Sequence, residues 1–130
     1  MKDKLIFSKE WFMLEKYHFK IMDIARYRLR IARKDLDTAN LTFASEQCRA
    51  ANNRAYYSIF HSIRAVLAKE GIAFKRHKDT IGYFNKNYIH IGVFPKELGR
   101  KYHYCLLRSP QLCLWLNEFS VFTFSLVTLK

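Results

Sequence analysis

The segment that most constrains the fold is residues 9–44, which contain neither glycine nor proline, the residues that most often interrupt regular structure. Its apolar residues recur at intervals of three, four and once five positions. They are Leu14, Tyr17, Ile21, Ile24, Leu29, Ala32, Leu36, Ala39 and Phe43. This spacing places them along one face of an α-helix. The segment therefore predicts one long amphipathic helix.

The rest of the charged part of the chain also predicts helices. After a turn at residues 45–47, a second helix is predicted up to Glu70, followed by Gly71, a residue suited to the position just beyond a helix C-terminus. A short helix is predicted around residues 80–88. Another covers residues 96–108, with Pro95 suited to its first position. The predicted fold class is all-α, an up-and-down bundle of four to five helices that begins with a long helical hairpin.

The composition changes abruptly after Arg108. Residues 1–108 hold 32 of the 34 charged residues, and residues 109–130 hold only Glu118 and Lys130. The final segment is apolar and rich in phenylalanine, valine and threonine, which is typical of a strand. We predict one domain over residues 1–108, followed by an atypical apolar tail. The tail is either a segment that docks on a partner or membrane, or a non-native end produced by truncation or a frameshift.

The charge balance favours an acidic or polyanionic partner. A formal net charge of +12 in 130 residues exceeds what solubility requires, and it suits nucleic acid, an anionic membrane surface or an acidic protein. The densest basic surface is predicted on the exposed side of the first helix. It consists of Lys16, Lys20, Arg26, Arg30, Arg33 and Lys34.

Three widely spaced cysteines, Cys48, Cys105 and Cys113, form no CxxC pair, so neither a zinc site nor a redox motif is indicated. Unpaired thiols are typical of a reducing cytoplasm. We find no window of membrane-span length and no signal peptide, and we therefore expect a cytoplasmic protein that does not enter a membrane.

The second predicted helix carries polar residues where a core helix is usually apolar. At 100° per residue, one stripe contains Arg54, Tyr57, Ser58, His61 and Arg64. Guanidinium, phenol, hydroxyl and imidazole groups in this arrangement suit binding or cleavage of a phosphodiester. They equally suit an internal hydrogen-bonded seam that holds neighbouring helices in register. The stripe alone leaves both interpretations open.

The run Asn53–Ala65, NRAYYSIFHSIRA, resembles the second helix of small prokaryotic HEPN-domain proteins. Matching signatures flank it in the same order: Arg28-Leu29, Ala32 and Asp35-Leu36 before it, then Gly71-Ile72, Lys75, His77, Phe84-Asn85-Lys86 and Gly92 to Leu98. The resemblance covers about residues 20–108. It implies a four- to five-helix bundle that is usually dimeric and is often encoded beside a minimal nucleotidyltransferase in a toxin–antitoxin-like pair.

Many HEPN proteins are metal-independent endoribonucleases, in which histidine moves protons and arginine stabilises charge on the phosphate. The resemblance implies an arginine and a histidine separated by four to six residues, on a late helix. Arg108 matches that arginine by position, but residues 113–115 are Cys, Leu and Trp. A complete Arg-x6-His spacing joins Arg54 to His61 in the second helix instead. The candidate catalytic residues are therefore Arg108, His61 and Arg54, in a motif that is incomplete.

Basic, aromatic and amide side chains supply the candidate RNA- or nucleotide-binding residues. They are Asn53, Tyr57, Arg64, Lys75, Arg76, His77, Arg100 and His103. One hypothesis is a HEPN-family protein of a nucleotidyltransferase-linked system that binds RNA or nucleotide, as a degenerate metal-independent endoribonuclease. The alternative is a non-catalytic dimerisation or interaction module for a nucleotidyltransferase partner. Both predict a homodimer that needs no metal or cofactor.

Overall fold

The computed structural model describes the backbone of residues 2–97, 99 and 100, and the side chains of residues 13–97, 99 and 100. Regular structure within these residues is entirely helical. Helix α1 is Lys2–Ala44, α2 is Cys48–Lys69 and α3 is His77–Phe84, which continues into a π-helical turn at Asn85–Ile89. Residues 96, 97, 99 and 100 are helical as well.

The predicted all-α class is confirmed for the described residues, and α1 and α2 form the predicted long hairpin around a turn at residues 45–47. Two helix starts were predicted too late, because α1 begins at Lys2 rather than residue 9 and α3 begins at His77 rather than residue 80. Most of the helix predicted over residues 96–108 and the whole apolar tail lie outside the described residues. No helix in the described part of the chain is long and apolar enough to cross a membrane.

Helix α2 ends at Lys69, one residue before the predicted Glu70, and Gly71 takes the predicted position beyond the helix with a φ of +73°. The N–H of Gly71 donates to the carbonyl of Ala68, and the N–H of Ile72 donates to the carbonyl of Leu67, both at 3.0 Å. This pair of bonds is the Schellman motif, in which the residue after the helix takes a left-handed conformation. Glycine adopts that conformation without steric cost.

Helix α1 ends in the same motif, but with a residue other than glycine at the left-handed position. The N–H of Gln47 donates to the carbonyl of Thr42, and the N–H of Glu46 donates to that of Phe43, both at 2.9 Å. Glu46 has a φ of +61°. Its Cβ therefore crowds the backbone in a way that Gly71 avoids.

Replacing Glu46 with glycine is expected to raise the free energy of unfolding by about 0.5–1 kcal/mol, because relief of the left-handed strain exceeds the added chain entropy. Glu46 is exposed, so little packing is lost. Urea unfolding followed by circular dichroism measures the change. Gly71→Ala is the reverse control and should be destabilising, because it puts a Cβ on a residue with a left-handed φ. The added Cβ would meet only Ile21 Cδ1 at an ordinary 3.8 Å, so no steric clash adds to the strain. An unchanged or lowered stability of Glu46→Gly would contradict the strain.

The core lies between the second half of α1, α2 and the α3 region. Small buried residues line the contact of the two long helices and allow close approach: Ala32, Ala39, Ala51 and Ala55. Larger side chains of α2 then pack with three aromatic rings that follow it in the chain. The ring of Phe84 lies 5.2 Å from that of Tyr88 and 5.5 Å from that of Phe94, measured between centroids.

The predicted apolar face of α1 is buried only along part of its length. Leu36 lies in the core, whereas Leu14 and Tyr17 are largely exposed among the described residues. Helix α1 has 43 residues and α2 has 22, so α1 extends well beyond its partner. The end of α2 reaches α1 near Ile21. Among the described side chains of α1, which begin at Met13, the first that is fully buried is Ala25.

Candidate functional site

The polar stripe of α2 faces α1, and Asp35 of α1 lies at its centre. Arg54 Nη1 is 3.3 Å from Asp35 Oδ1, and His61 Nε2 is 3.9 Å from Asp35 Oδ2. The Asp35 side chain is 13% exposed, whereas that of Arg54 is 50% exposed. One largely buried carboxylate therefore serves two candidate catalytic residues that are seven positions apart on α2.

Ser58 has a purely structural position in the stripe. Its side chain is fully buried, and its hydroxyl donates a 2.8 Å hydrogen bond to the backbone carbonyl of Ala32. One turn further on, the buried hydroxyl of Ser62 donates to the carbonyl of Ser58 at 2.9 Å. The seam interpretation holds for Ser58, because this bond fixes the register of α1 against α2.

The environment of His61 favours the neutral imidazole. Burial is the main cause that lowers its pKa below the ordinary value of 6.5, and the charges of Arg28, Arg64 and His77 lower it further. The Asp35 carboxylate acts in the opposite direction without reversing the shift. A neutral imidazole near pH 7 is able to accept a proton.

The lowered pKa of His61 also links the fold to pH. Since the folded-state pKa lies below that of the unfolded chain, neutral His61 contributes stability above pH 6.5 that is lost as pH falls through the folded-state pKa. Its Nδ1 atom is buried and has no hydrogen-bond partner among the described residues. Charging His61 in the folded protein is therefore costly even beside Asp35, and a further anion would lower that cost.

An aromatic cluster borders the site on the side of α3. The ring of His77, the first residue of α3, stacks on buried Phe60 with centroids 3.9 Å apart and planes 18° apart. A 3.2 Å hydrogen bond joins the Tyr56 hydroxyl and His77 Nδ1. Tyr57 is 36% exposed and meets His77 edge-on at 6.3 Å. The cluster holds the exposed His77 ring in place beside the polar stripe.

The structure groups some of the predicted site residues and leaves others apart. Tyr57, His61, Arg64 and His77 lie together where α2 meets the start of α3. Arg76 instead pairs with Asp79 at 3.0 Å on its own turn. Exposed positions outside the group are Asn53, Lys75 and Arg100. His103 and Arg108 lie outside the described residues, so the catalytic assignment of Arg108 stays a prediction.

Asp35 and Arg28 are site residues that sequence reasoning did not identify. Both belong to α1, seven residues apart and hence on one helix face. A signal was available, since Asp35 is the first acidic residue after the basic stretch that ends at Lys34. In the part of the chain that the structure describes, no group of three or more His, Cys, Asp or Glu side chains is arranged to hold a metal ion.

Comparison with known proteins identifies the family. The sequence model of the HEPN-domain family matches residues 25–109. The chain therefore belongs to the HEPN-domain family. The match begins at Ala25, the residue at which α1 enters the core. The part of α1 before Ala25 therefore lies outside the matched residues.

Curated relatives agree with this assignment. The chain is similar to a UPF0332 protein of Thermotoga maritima, with 36% identity over 80 residues that cover 62% of this chain and 61% of the relative. A protein of Methanocaldococcus jannaschii, named as a candidate toxin, is 33% identical over 72 residues, or 55% of this chain and 54% of the relative. A UPF0332 protein of Pyrococcus horikoshii is 31% identical over 55% of this chain and 51% of the relative. The matches thus span between about half and three fifths of these relatives, and no solved structure matches the chain.

Proposed function

We propose that this HEPN-domain protein binds single-stranded RNA and acts as the toxin-like member of a prokaryotic two-gene system whose other member is a nucleotidyltransferase. Family membership supports the first part, and the relative named as a candidate toxin supports the second. Metal-independent cleavage of the bound RNA is the activity we expect, with neutral His61 as the proton acceptor.

The observation that carries this proposal is the basic face of α1, the surface formed by Lys16, Lys20, Arg26, Arg30, Arg33 and Lys34. All six side chains are exposed. At 100° per residue they fall within an arc of roughly 140°, on the side of α1 opposite the buried alanines. The face is roughly 27 Å long, which is enough to contact several successive phosphates.

The test is the salt dependence of binding to a fluorescently labelled, mixed-sequence single-stranded RNA, measured by anisotropy. The triple variant Lys16→Gln, Lys20→Gln, Arg30→Gln should bind more weakly and lower the slope of log K against log[salt] by about 2, at roughly 0.7 per lost contact. A matched control removes two lysines and one arginine from exposed positions elsewhere: Arg49→Gln, Lys86→Gln, Lys96→Gln. Equal losses in both variants, or no binding at low salt, would reject this surface as the RNA-binding site.

Cleavage is scored separately, in EDTA, with the same RNA and with His61→Ala and Arg108→Ala. Loss of cutting in a folded His61→Ala variant would identify His61 as part of the catalytic site. Loss in Arg108→Ala alone would place the site at the late helix that the family resemblance implies. Binding without cutting in the wild-type protein would leave an RNA-binding module.

A second candidate function is a docking module for the nucleotidyltransferase. It is favoured by the exposed apolar side chains of α1 that precede Ile21. There, Met13, Leu14, Tyr17 and Phe19 are all largely exposed among the described residues. Sedimentation of the purified pair, with Leu14→Asp and Phe19→Asp as interface variants, tests this function. A complex that survives both changes would exclude this surface.

A further inference from the structure

Arg28 of α1 and Arg64 of α2 occupy facing positions across the helical hairpin. Two contacts between the helices bracket these positions: Ser58 of α2 contacts Ala32 of α1, and Gly71, just after α2, lies beside Ile21 of α1. Because the helices are antiparallel, Arg64 must lie opposite the part of α1 that contains Arg28. Both side chains are half-buried, and burial, followed by the charge of nearby Arg28, lowers the pKa of Arg64.

This arginine pair has no acidic partner in the described part of the chain. The ion pairs there join Asp35 to Arg54 and His61, and Asp79 to Arg76, and none includes Arg28 or Arg64. Beyond residue 100 the sequence contains a single acidic side chain, Glu118. An arginine does not relieve repulsion by losing its proton at ordinary pH. Two half-buried guanidinium groups close enough to repel each other are therefore costly without an anion beside them.

The surroundings of the pair provide further donors for an anion. The guanidinium carbon of Arg64 lies 5.6 Å from the centre of the Phe60 ring, a cation–π contact that orients it. His77 stacks on the same ring, and His61 is close enough to Arg28, Arg64 and His77 to be influenced by all three charges. Cationic or protonatable groups from α1, α2 and α3 thus converge on one place.

We propose that Arg28 and Arg64 form a binding site for a phosphate group, with the imidazoles of His61 and His77 at its edge. The forked donors of arginine match phosphate oxygens in bidentate geometry. A bound phosphate supplies the charge compensation that the arginine pair lacks. This proposal deepens the proposed function, on which it rests for its biological ligand, since an RNA phosphodiester and the phosphate of a free nucleotide present the same chemistry. The site is distinct from the basic face of α1, because Arg28 points toward α2 rather than toward the opposite side.

The experiment measures binding of inorganic phosphate, AMP and single-stranded RNA to the full chain by calorimetry and by ligand-dependent shift in Tm. We compare wild type with Arg28→Gln and Arg64→Gln, and use exposed Arg49→Gln as the matched control. Each site variant should lose about tenfold in affinity for phosphate, and Arg49→Gln should lose little. Without ligand, each site variant should have a higher Tm than wild type, because one of two repelling charges is gone.

The Tm of the two site variants without ligand distinguishes a phosphate-binding role of the arginines from a structural role. A lower Tm of both site variants without ligand, together with an unchanged phosphate affinity, would overturn the proposal. Absence of binding by phosphate, AMP and RNA to wild type would overturn it as well. Phosphate binding that appears only in Glu118→Gln would show that Glu118 already compensates the arginines, and would also overturn it.

The two proposals fail in distinguishable ways. RNA binding that depends on the basic face of α1 but is unchanged in Arg28→Gln and Arg64→Gln would sink the phosphate site alone. Binding of phosphate and AMP that requires both arginines, without binding of RNA, would reject the RNA-binding function and leave a nucleotide site. Arg28→Lys and Arg64→Lys keep the charge without the fork, so partial affinity in these variants supports bidentate recognition.

Discussion

Replacing Ile59 with alanine is expected to lower the free energy of unfolding by about 2–5 kcal/mol. Ile59 is 1% exposed and belongs to the core cluster that joins α1, α2 and the α3 region. Ala55 lies one turn before it on α2 and belongs to the same cluster, and it has no longer side chain to move into a cavity. The loss would be a large fraction of the stability of a domain of this size. Urea unfolding followed by circular dichroism measures it.

Ile91→Ala is the matched control, because it removes the same three carbon atoms from a side chain that is 69% exposed. Its effect should stay within about 0.5 kcal/mol. Similar losses in the two variants would mean that burial in the core does not distinguish Ile59 from Ile91. The helix packing described above would then be wrong.

The helix ends that were predicted correctly depend on local chemistry. Gly71 follows α2 because the Schellman motif requires a left-handed residue just beyond the helix. The φ of Gly71 and the hydrogen bonds from Gly71 to Ala68 and from Ile72 to Leu67 confirm this motif. Local signals were insufficient for Leu14 and Tyr17. Periodicity identifies the apolar face of a helix, but the length of the neighbouring helix decides how far that face is covered. Since α2 ends near Ile21, the outer part of the face is exposed among the described residues.

Only the α2 side of the candidate site was predicted from the sequence, because its α1 side depends on how the two helices pack. The polar stripe is visible in the spacing along α2, because its members belong to one helix. Their partners, Asp35 and Arg28, belong to α1, and their positions opposite the stripe depend on the tertiary register that the Ser58 hydrogen bond helps to set. No pattern within a single helix specifies that register.

The two interpretations of the stripe apply to different residues. Ser58 has a structural role, since its hydroxyl donates a hydrogen bond to the carbonyl of Ala32. Arg54 is compensated by Asp35. Arg64 lies opposite Arg28 and has no ion pair with a described residue. It is therefore the residue of the stripe that we propose to bind phosphate. A division of this kind cannot be obtained from residue types, because both arginines have the same chemistry and differ only in what lies opposite.

Replacing Asp35 with asparagine should lower stability while raising affinity for RNA, if the proposed function holds. The change breaks the 3.3 Å ion pair with Arg54 and removes the carboxylate beside His61. Because Arg54 is half-exposed, we expect a loss of about 1–3 kcal/mol, between the values for surface and buried pairs. Removing one negative charge roughly 10 Å from a bound phosphate is worth about 1–2 kcal/mol at an effective dielectric constant of 20, or roughly tenfold in affinity.

Asp37→Asn is the control for Asp35→Asn, because it makes the same change in charge at an exposed position two residues further along α1. Its stability should change by less than about 0.5 kcal/mol, and its affinity for RNA should rise less than that of Asp35→Asn. The opposite signs of the two effects at Asp35 are the informative result. A purely structural Asp35 would lower stability and leave binding to the folded protein unchanged, whereas an Asp35 that opposes anion binding raises affinity as it destabilises. Weaker binding by folded Asp35→Asn would contradict the proposal that positive charge at this seam is there to hold phosphate.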